Sequence, residues 1–430
     1  MTEQLFQFIW QYKLFDIAAI QHTVQGESIT ILSVGILNTD EGPDFTNAKI
    51  KIGNTIWAGD VELHIHASDW IKHQHQTQDN YQKIILHVVL HADVAIQDHL
   101  GNAIATIELK NAIPPHFIAA YATLMQNTQA LACQTQIKNV REIIVHQQLD
   151  RVLIERLQIK AERIQELLAQ TNNDWNEVFY ISIARAFGSN VNAETFQALA
   201  ARIPLRILAK HKNNVTQLEA MLFGVAGLLP QQSNDAYIKL LIQEFQLLKT
   251  KFSLVPMDAA RFKFLRMRPA NFPSIRIAQL ASLIHQASAL MSKVLAASSD
   301  LQKLEKLFDA QVSTFWQQHY TFAEETHEQQ TKSLGKASIH GIIINTVCPV
   351  LYQYGKYIGE QKYCEQAINL LQQLPAEKNK FITVFEQVGY TPKNAFQSQA
   401  MLQQFQFYCA PKKCLQCSIG FGLLKKGEKV

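Results

Sequence analysis

From Glu142 to Gln170 the chain runs without a glycine or a proline, and leucine, isoleucine, glutamate, glutamine, arginine and lysine dominate it. Glycine and proline cost a helix interior most, while the residues present are mostly good helix formers. The stretch is therefore constrained to one long helix. Similar helical patterns recur at 178–187, 193–202, 217–229, 236–251, 275–297, 301–315 and 363–374. They share no fixed period, so a solenoid is not expected. Residues 114–430 read as a mostly helical domain ending in a cysteine cluster and a frayed tail after Gly420.

Residues 1–113 have a different pattern. Leu5, Phe6, Ile9, Trp10 and Leu14 fall at helical spacing and predict an amphipathic opening helix. Strand-like runs follow at 29–36, 48–52, 56–65, 84–90 and 103–109, separated by turn signals at 38–43, 53–54 and 101–102. Ser68 is placed to cap a short helix carrying Trp70 and Tyr81. The run 84–90 is apolar apart from His87, as in a strand buried on both faces. The expected fold class is α+β: an N-terminal mixed sheet flanked by helices over 1–113, then the helical domain over 114–430.

With 430 residues, 47% hydrophobic and 18% charged, the chain has core enough for two or three domains. A formal charge of +4 is too mild to argue for nucleic acid by itself. The opening Met1-Thr2-Glu3-Gln4-Leu5 lacks a basic stretch followed by an apolar one, so no secretory signal is expected. No apolar run approaches the ~18 residues of a membrane helix. Six cysteines fit no dense disulfide framework. The expectation is a cytoplasmic protein without a membrane partner.

Chemistry concentrates between Gly42 and Asp93. Asp44 lies in Gly42-Pro43-Asp44-Phe45; Glu62, His64 and His66 follow; then come Asp69, His73 and His75. Carboxylates and imidazoles are ligands for divalent ions. Val61, Leu63 and Ile65 alternate with Glu62, His64 and His66, so a strand here puts the latter three on one face. That row must be solvated, internally paired or holding a metal, because burying it without partners is costly.

The order helix, strands, Pro43-Asp44, a strand, Glu62-Leu63-His64 on a strand, a helix and another strand is similar to the core of the PD-(D/E)xK nuclease-like superfamily. The resemblance implies a restriction-endonuclease-like core in which Asp44 and Glu62 hold Mg or Mn. Such an ion polarises a phosphoryl oxygen and acidifies its water, so the activity implied is phosphodiester hydrolysis on nucleic acid. The departure is His64, which stands where the superfamily has lysine. As the third catalytic residue it would position water without a permanent charge. Lys51 or Lys83 is a candidate source of that charge, and Glu3 and Gln11 match a further acidic or amide position.

Two other readings stand beside this one. His64 and His66, with His73 and His75, form a candidate zinc or iron site completed by Glu62 or Asp69, for a small-molecule enzyme. In that stretch His75 is expected to face water, and His87 and His91 to be core or edge histidines. Alternatively the fold is an inactive nucleic-acid-binding or scaffold protein. The whole chain also resembles an uncharacterised bacterial family, a domain of unknown function, through 42–45, 61–64, 68–70, 268–273 and the terminal cysteines.

In the helical half, Arg261, Lys263, Arg266, Arg268 and Arg276 interleave with Phe262, Phe264 and Phe272. Basic and aromatic residues together suit nucleic acid, although a rigid connector with its phenylalanines in the core is the plainer expectation. Arg151, Arg156, Lys160 and Arg163 form a second basic stripe on the long helix, offset by Glu155, Glu162 and Glu166. Cys409, Cys414 and Cys417 have the spacing of thiolate ligands for zinc or an iron–sulfur cluster, or of a redox group. A fourth ligand is missing locally, with Cys348 or His340 as distant candidates. Lys412 and Lys413 are expected to lower the thiol pKa values.

Overall fold

The computed structural model describes residues 1–425 apart from 288, 324, 327 and 328. Its contacts group the chain into two compact units, Met1–Gln148 with Gln404–Val430, and Leu149–Gln403. The sequence boundary near 113 marks the change in composition.

The first unit opens with α1 (Glu3–Gln11), where the Thr2 side chain accepts from the Leu5 N–H and Leu5, Phe6, Phe8, Ile9 and Trp10 are buried. The strands are β1 (Ile29–Ser33), β2 (Ile36–Leu37), β3 (Phe45–Ile52), β4 (Thr55–His66), β5 (Ile84–His91) and β6 (Thr106–Glu108). They form one mixed sheet in the order β1-β3-β4-β5-β6, with β2 on β3. Pairing is antiparallel from β1 to β4 and parallel from β4 to β6. The α+β class read from the sequence is the one observed.

Alternation explains β3: Phe45, Ala48, Ile50 and Ile52 are buried while Asn47, Lys49 and Lys51 are exposed. A bulge between Phe45 and Ala48 puts Asn47 at φ +56, its N–H donating to Asp60 Oδ1 at 3.2 Å. Such a bulge re-aims a strand. Here it sets Phe45 opposite Val61, which brings Asp44 alongside Glu62. The middle strand β4 is buried on both faces over Val61–His64. Gly59 permits the tight join to β5, since a Cβ there would lie 2.5 Å from the Lys83 carbonyl oxygen.

Several expectations shift. The run 29–36 is two strands, and 103–109 contributes only β6. The short helix α2 (Asp69–Lys72) ends before Tyr81, which sits in a separate 3-10 turn. Ser68 does not cap α2; its N–H and Oγ donate instead to Asp93, at 2.9 and 2.7 Å. The frayed tail is also corrected: Ser418–Lys425 is helical, burying Ile419, Leu423 and Leu424, with Phe421 against Phe8 and Tyr12. Residues 426–430 lie outside the described residues.

The second unit is helical. The stretch 275–297 is two helices, Pro273–Gln286 and Leu290–Ala297, with Ala289 in the left-handed region at φ +53. The stretch 301–315 also divides, into Leu301–Leu307 and Thr314–Gln318. Between them Phe308, Ala310 and Val312 are buried at every second residue, the period of extended chain rather than helix. Among the described residues no single helix is long and apolar enough to cross a membrane.

Candidate metal centre

Asp44 and Glu62 meet where β3 and β4 pair. The Asp44 N–H donates to Glu62 Oε2 at 3.0 Å, and Asp44 Oδ2 accepts from the Leu63 N–H at 3.0 Å. Asp44 Oδ1 accepts from Gln7 Nε2 on α1 at 2.7 Å. The loop before Asp44 wraps around Asn38, whose side chain donates to the Pro43 carbonyl at 3.0 Å and whose N–H donates to the Asp44 carbonyl at 2.8 Å. Gly42, at φ +112, supplies a turn that other residues rarely adopt.

The other Glu62 oxygen faces imidazoles. Glu62 Oε1 is 3.4 Å from His75 Nε2 and 3.7 Å from His64 Nε2. His64 Nε2 lies 3.2 Å from His73 Nδ1. Ligand atoms of His64, His73 and His75 all fall within 4.8 Å of one another, the one such group among the described residues. Glu62, His64 and His75 are buried, whereas His73 is exposed. The centre is thus enclosed with one ring at its rim.

Packing fixes these rings. His64 Nδ1 is 2.8 Å from Nε2 of His87, which has no exposed surface. His75 stacks on Tyr81 with centroids 3.9 Å apart, and its Nδ1 meets Gln78 Oε1 at 3.2 Å. Trp70 packs against His75, Tyr81 and His87 and walls the site. Burial, reinforced by neighbouring imidazoles, pushes His64 and His87 each down to about 3. Both rings are therefore neutral near neutral pH. A consistent arrangement has His64 Nδ1–H donating to His87 Nε2, which leaves His64 Nε2 free to ligate. Burial first, then the Glu62 charge, raises Asp44 well above the usual carboxylate range.

Of the residues read as a site, Asp44, Glu62 and His64 come together. His66 lies apart, exposed, 3.8 Å from Asp69 Oδ2 and stacked on His91. His75, expected to face water, is buried at 8% exposure against Glu62. Lys51 and Lys83 are exposed, and among the described ion pairs neither reaches either acid. Gln7, one turn beyond Glu3, takes the place foreseen for an amide on α1. Its only sequence signal was that it shares a helical face with Glu3.

The cysteines converge in the same unit. Gln404 Nε2 donates to Cys409 Sγ at 3.5 Å and to Cys417 Sγ at 3.3 Å. Cys133 joins them, interacting electrostatically with Cys409, Cys414 and Cys417. Cys348 and His340 belong to the helical unit instead, where His340 pairs with Glu305 at 2.6 Å. Lys412 pulls the Cys414 thiol down, but burial outweighs it. Burial raises Cys133 to about 12 and Cys414 to about 11, and Lys412 Nζ is held by the carbonyls of Met125 and Asn127, at 2.6 and 2.9 Å.

In the helical unit Arg261, Lys263, Arg266 and Arg268 are exposed on a connector, with Phe262 buried against Phe196 and Phe264 edge-on to Phe272. Arg276 is not part of that surface. It is half-buried and donates to Asn271, Gln279 and Ser338.

Fold and site together define an α+β protein with a histidine–carboxylate centre on the middle strand of a mixed sheet, followed by a helical unit. The chain belongs to the family described as "Protein of unknown function (DUF2851)", whose model matches residues 3–380. The match stops short of Cys409. No curated protein and no solved structure matches the chain.

Proposed function

We propose that this protein is a metal-dependent hydrolase whose ion is held by His64, His73 and His75 with Glu62 beside them, acting on phosphodiesters. The carrying observation is the spacing of the donors. An ion with metal–nitrogen bonds of about 2.0–2.1 Å in tetrahedral geometry has donors about 3.3–3.4 Å apart. Three of the donor pairs here, His64–His73, His75–Glu62 and His64–Glu62, are 3.2, 3.4 and 3.7 Å apart, and the three imidazole donors all lie within 4.8 Å of one another. Three imidazoles and a carboxylate suit zinc, iron or manganese better than magnesium, which prefers oxygen ligands and keeps several waters. This moves the ion from Asp44 and Glu62, as the nuclease resemblance implied, to the imidazole side of Glu62.

Such an ion supplies Lewis acidity and an acidified water. The chain supplies the rest. His87 holds the His64 tautomer, as outer partners of ligating histidines do. The Asp44 backbone fixes Glu62, so Asp44 is a positioning residue. Support for phosphodiesters comes from the acid pair on adjoining strands, similar to nuclease cores.

The test is elemental analysis of the purified full chain, with hydrolysis of bis(p-nitrophenyl) phosphate and of single- and double-stranded DNA and RNA under zinc, iron, manganese and magnesium. The reading expects one ion per chain, lost in His73→Ala, and hydrolysis lost in both His73→Ala and Glu62→Gln. An ion retained in His73→Ala ends the ligand assignment. Failure of every ion to support cleavage ends the phosphodiesterase assignment.

A further inference from the structure

The helical unit contains a cavity of about 490 Å³ lined by Lys160, Arg163, Arg185 and Arg276, with no aspartate or glutamate in its lining. Four cations around one space repel each other, and positive groups taken out of water normally acquire a carboxylate partner. Here the hydrogen bonds of Lys160, Arg185 and Arg276 run to neutral oxygens. Lys160 Nζ donates to Asn345 Oδ1 at 2.9 Å and to Gln399 Oε1 at 3.1 Å. Arg276 donates to Asn271 Oδ1 at 2.7 Å, and to Gln279 Oε1 and Ser338 Oγ at 3.1 Å. Arg185 bonds Gln197 Oε1 at 2.9 Å, and the carboxylate it faces, Glu194 at 3.9 Å, is 90% exposed.

Burial first, then the neighbouring Arg156, pushes Lys160 down to about 7, against an opposing pull from Glu377. Two backbone features face the same space. Asn345 sits on a π-helical turn, Ile343–Val347, a distortion frequent at functional sites. The helix Ser189–Arg202 brings Ser189 and Asn190 into the lining, and no side chain caps its N-terminus. Helix N-termini favour anions. Ile164, Leu167 and Pro349 give the cavity an apolar wall, and its volume falls within the roughly 300–1,000 Å³ of small-ligand sites.

We infer that this cavity binds a phosphorylated small molecule, the phosphate among Lys160, Arg163, Arg185 and Arg276 and the organic part against Ile164, Leu167 and Pro349. Planar guanidinium groups pair with phosphate oxygens two at a time, and a volume of about 490 Å³ holds a compact ligand. The inference uses none of the residues of the metal centre.

Calorimetric titration of the full chain with inorganic pyrophosphate and with ADP tests it. Both bind saturably at millimolar concentration or below, and added salt weakens them. Arg163→Gln and Arg276→Gln each weaken binding by about tenfold or more. Arg163 is exposed, so its variant reports on binding even if Arg276→Gln folds poorly. His73→Ala binds like the unaltered chain, which separates this cavity from the metal centre. The inference is overturned if neither probe binds, if Arg163→Gln leaves affinity unchanged, or if His73→Ala abolishes it. An oligothymidylate that binds at the arginines and resists displacement by pyrophosphate also overturns it, in favour of nucleic acid.

Discussion

His64 Nε2 and His73 Nδ1 stand 3.2 Å apart, one ring buried on the middle strand and the other exposed beyond α2. Two imidazole nitrogens at that distance can share one proton or one ion. With His75 and Glu62 completing the group, His73→Ala and His75→Ala should each weaken zinc binding by more than about 100-fold, beyond the usual loss from an outer partner. His66→Ala should leave it unchanged, because His66 is engaged with Asp69 and His91. Competition against a chromophoric chelator measures all three.

His87 acts on the ion only through His64. Its ring is fully buried and its Nε2 accepts at 2.8 Å in the arrangement that frees His64 Nε2. His87→Phe removes the acceptor and should cost about 10–100-fold in zinc affinity. His87→Gln keeps a carbonyl acceptor and should recover much of that loss. Equal affinities in the two variants would mean that the ring merely fills space.

The α+β class was legible because burial follows alternation in β3 and near-continuous apolarity in β5. The pairing of Asp44 with Glu62 was legible from the turn at Gly42-Pro43 and the two strands beyond it. His75 was not. It follows α2 in a polar stretch, and only the stacking of Tyr81 and the wall of Trp70 enclose it. Cys133 was equally hidden, lying 276 positions before Cys409 (409 − 133) with no spacing rule to link them. Contacts made over such distances leave no local period. The break at 308–313 escaped for a related reason: the burial of Phe308, Ala310 and Val312 is set by contacts far along the chain.

Gly59 is where β4 and β5 close. A methyl group there would meet the Lys83 carbonyl oxygen and Ile85 Cγ2, each at 2.5 Å. Neither a backbone oxygen nor a β-branched side chain yields easily, so Gly59→Ala should destabilise the fold by about 1–3 kcal/mol. Metal affinity should fall with it, since Glu62 and His64 lie three and five positions along the same strand. Denaturant unfolding followed by zinc titration separates the two effects.

The four converging thiols are a donor set for zinc or an iron–sulfur cluster. Among the described residues only the histidine group closes to within 4.8 Å. If the four thiols hold either group, anaerobically purified chain should carry zinc, or iron with sulfide. Cys133→Ser should lose them as completely as Cys417→Ser, while Cys364→Ser keeps them. Retention in Cys133→Ser would remove that residue from the set.

Glu219 gives the helical unit a pH dependence with a definite sign. The residue has no exposed surface, and its Oε2 accepts from the Tyr237 and Ser313 hydroxyls. Burial raises its carboxyl from 4.5 to about 8. A carboxyl raised on folding stabilises the fold as the neutral acid. That contribution is complete below pH 4.5, declines as pH rises toward 8, and is gone above it. Glu219→Gln keeps an acceptor for both hydroxyls and removes the titration. The variant should therefore melt above the unaltered chain at pH 8, by the equivalent of a few kcal/mol, with the gap closing toward pH 5. Melting temperatures across that range decide it, and a constant gap would mean that Glu219 ionises in the folded protein as it does in the unfolded one.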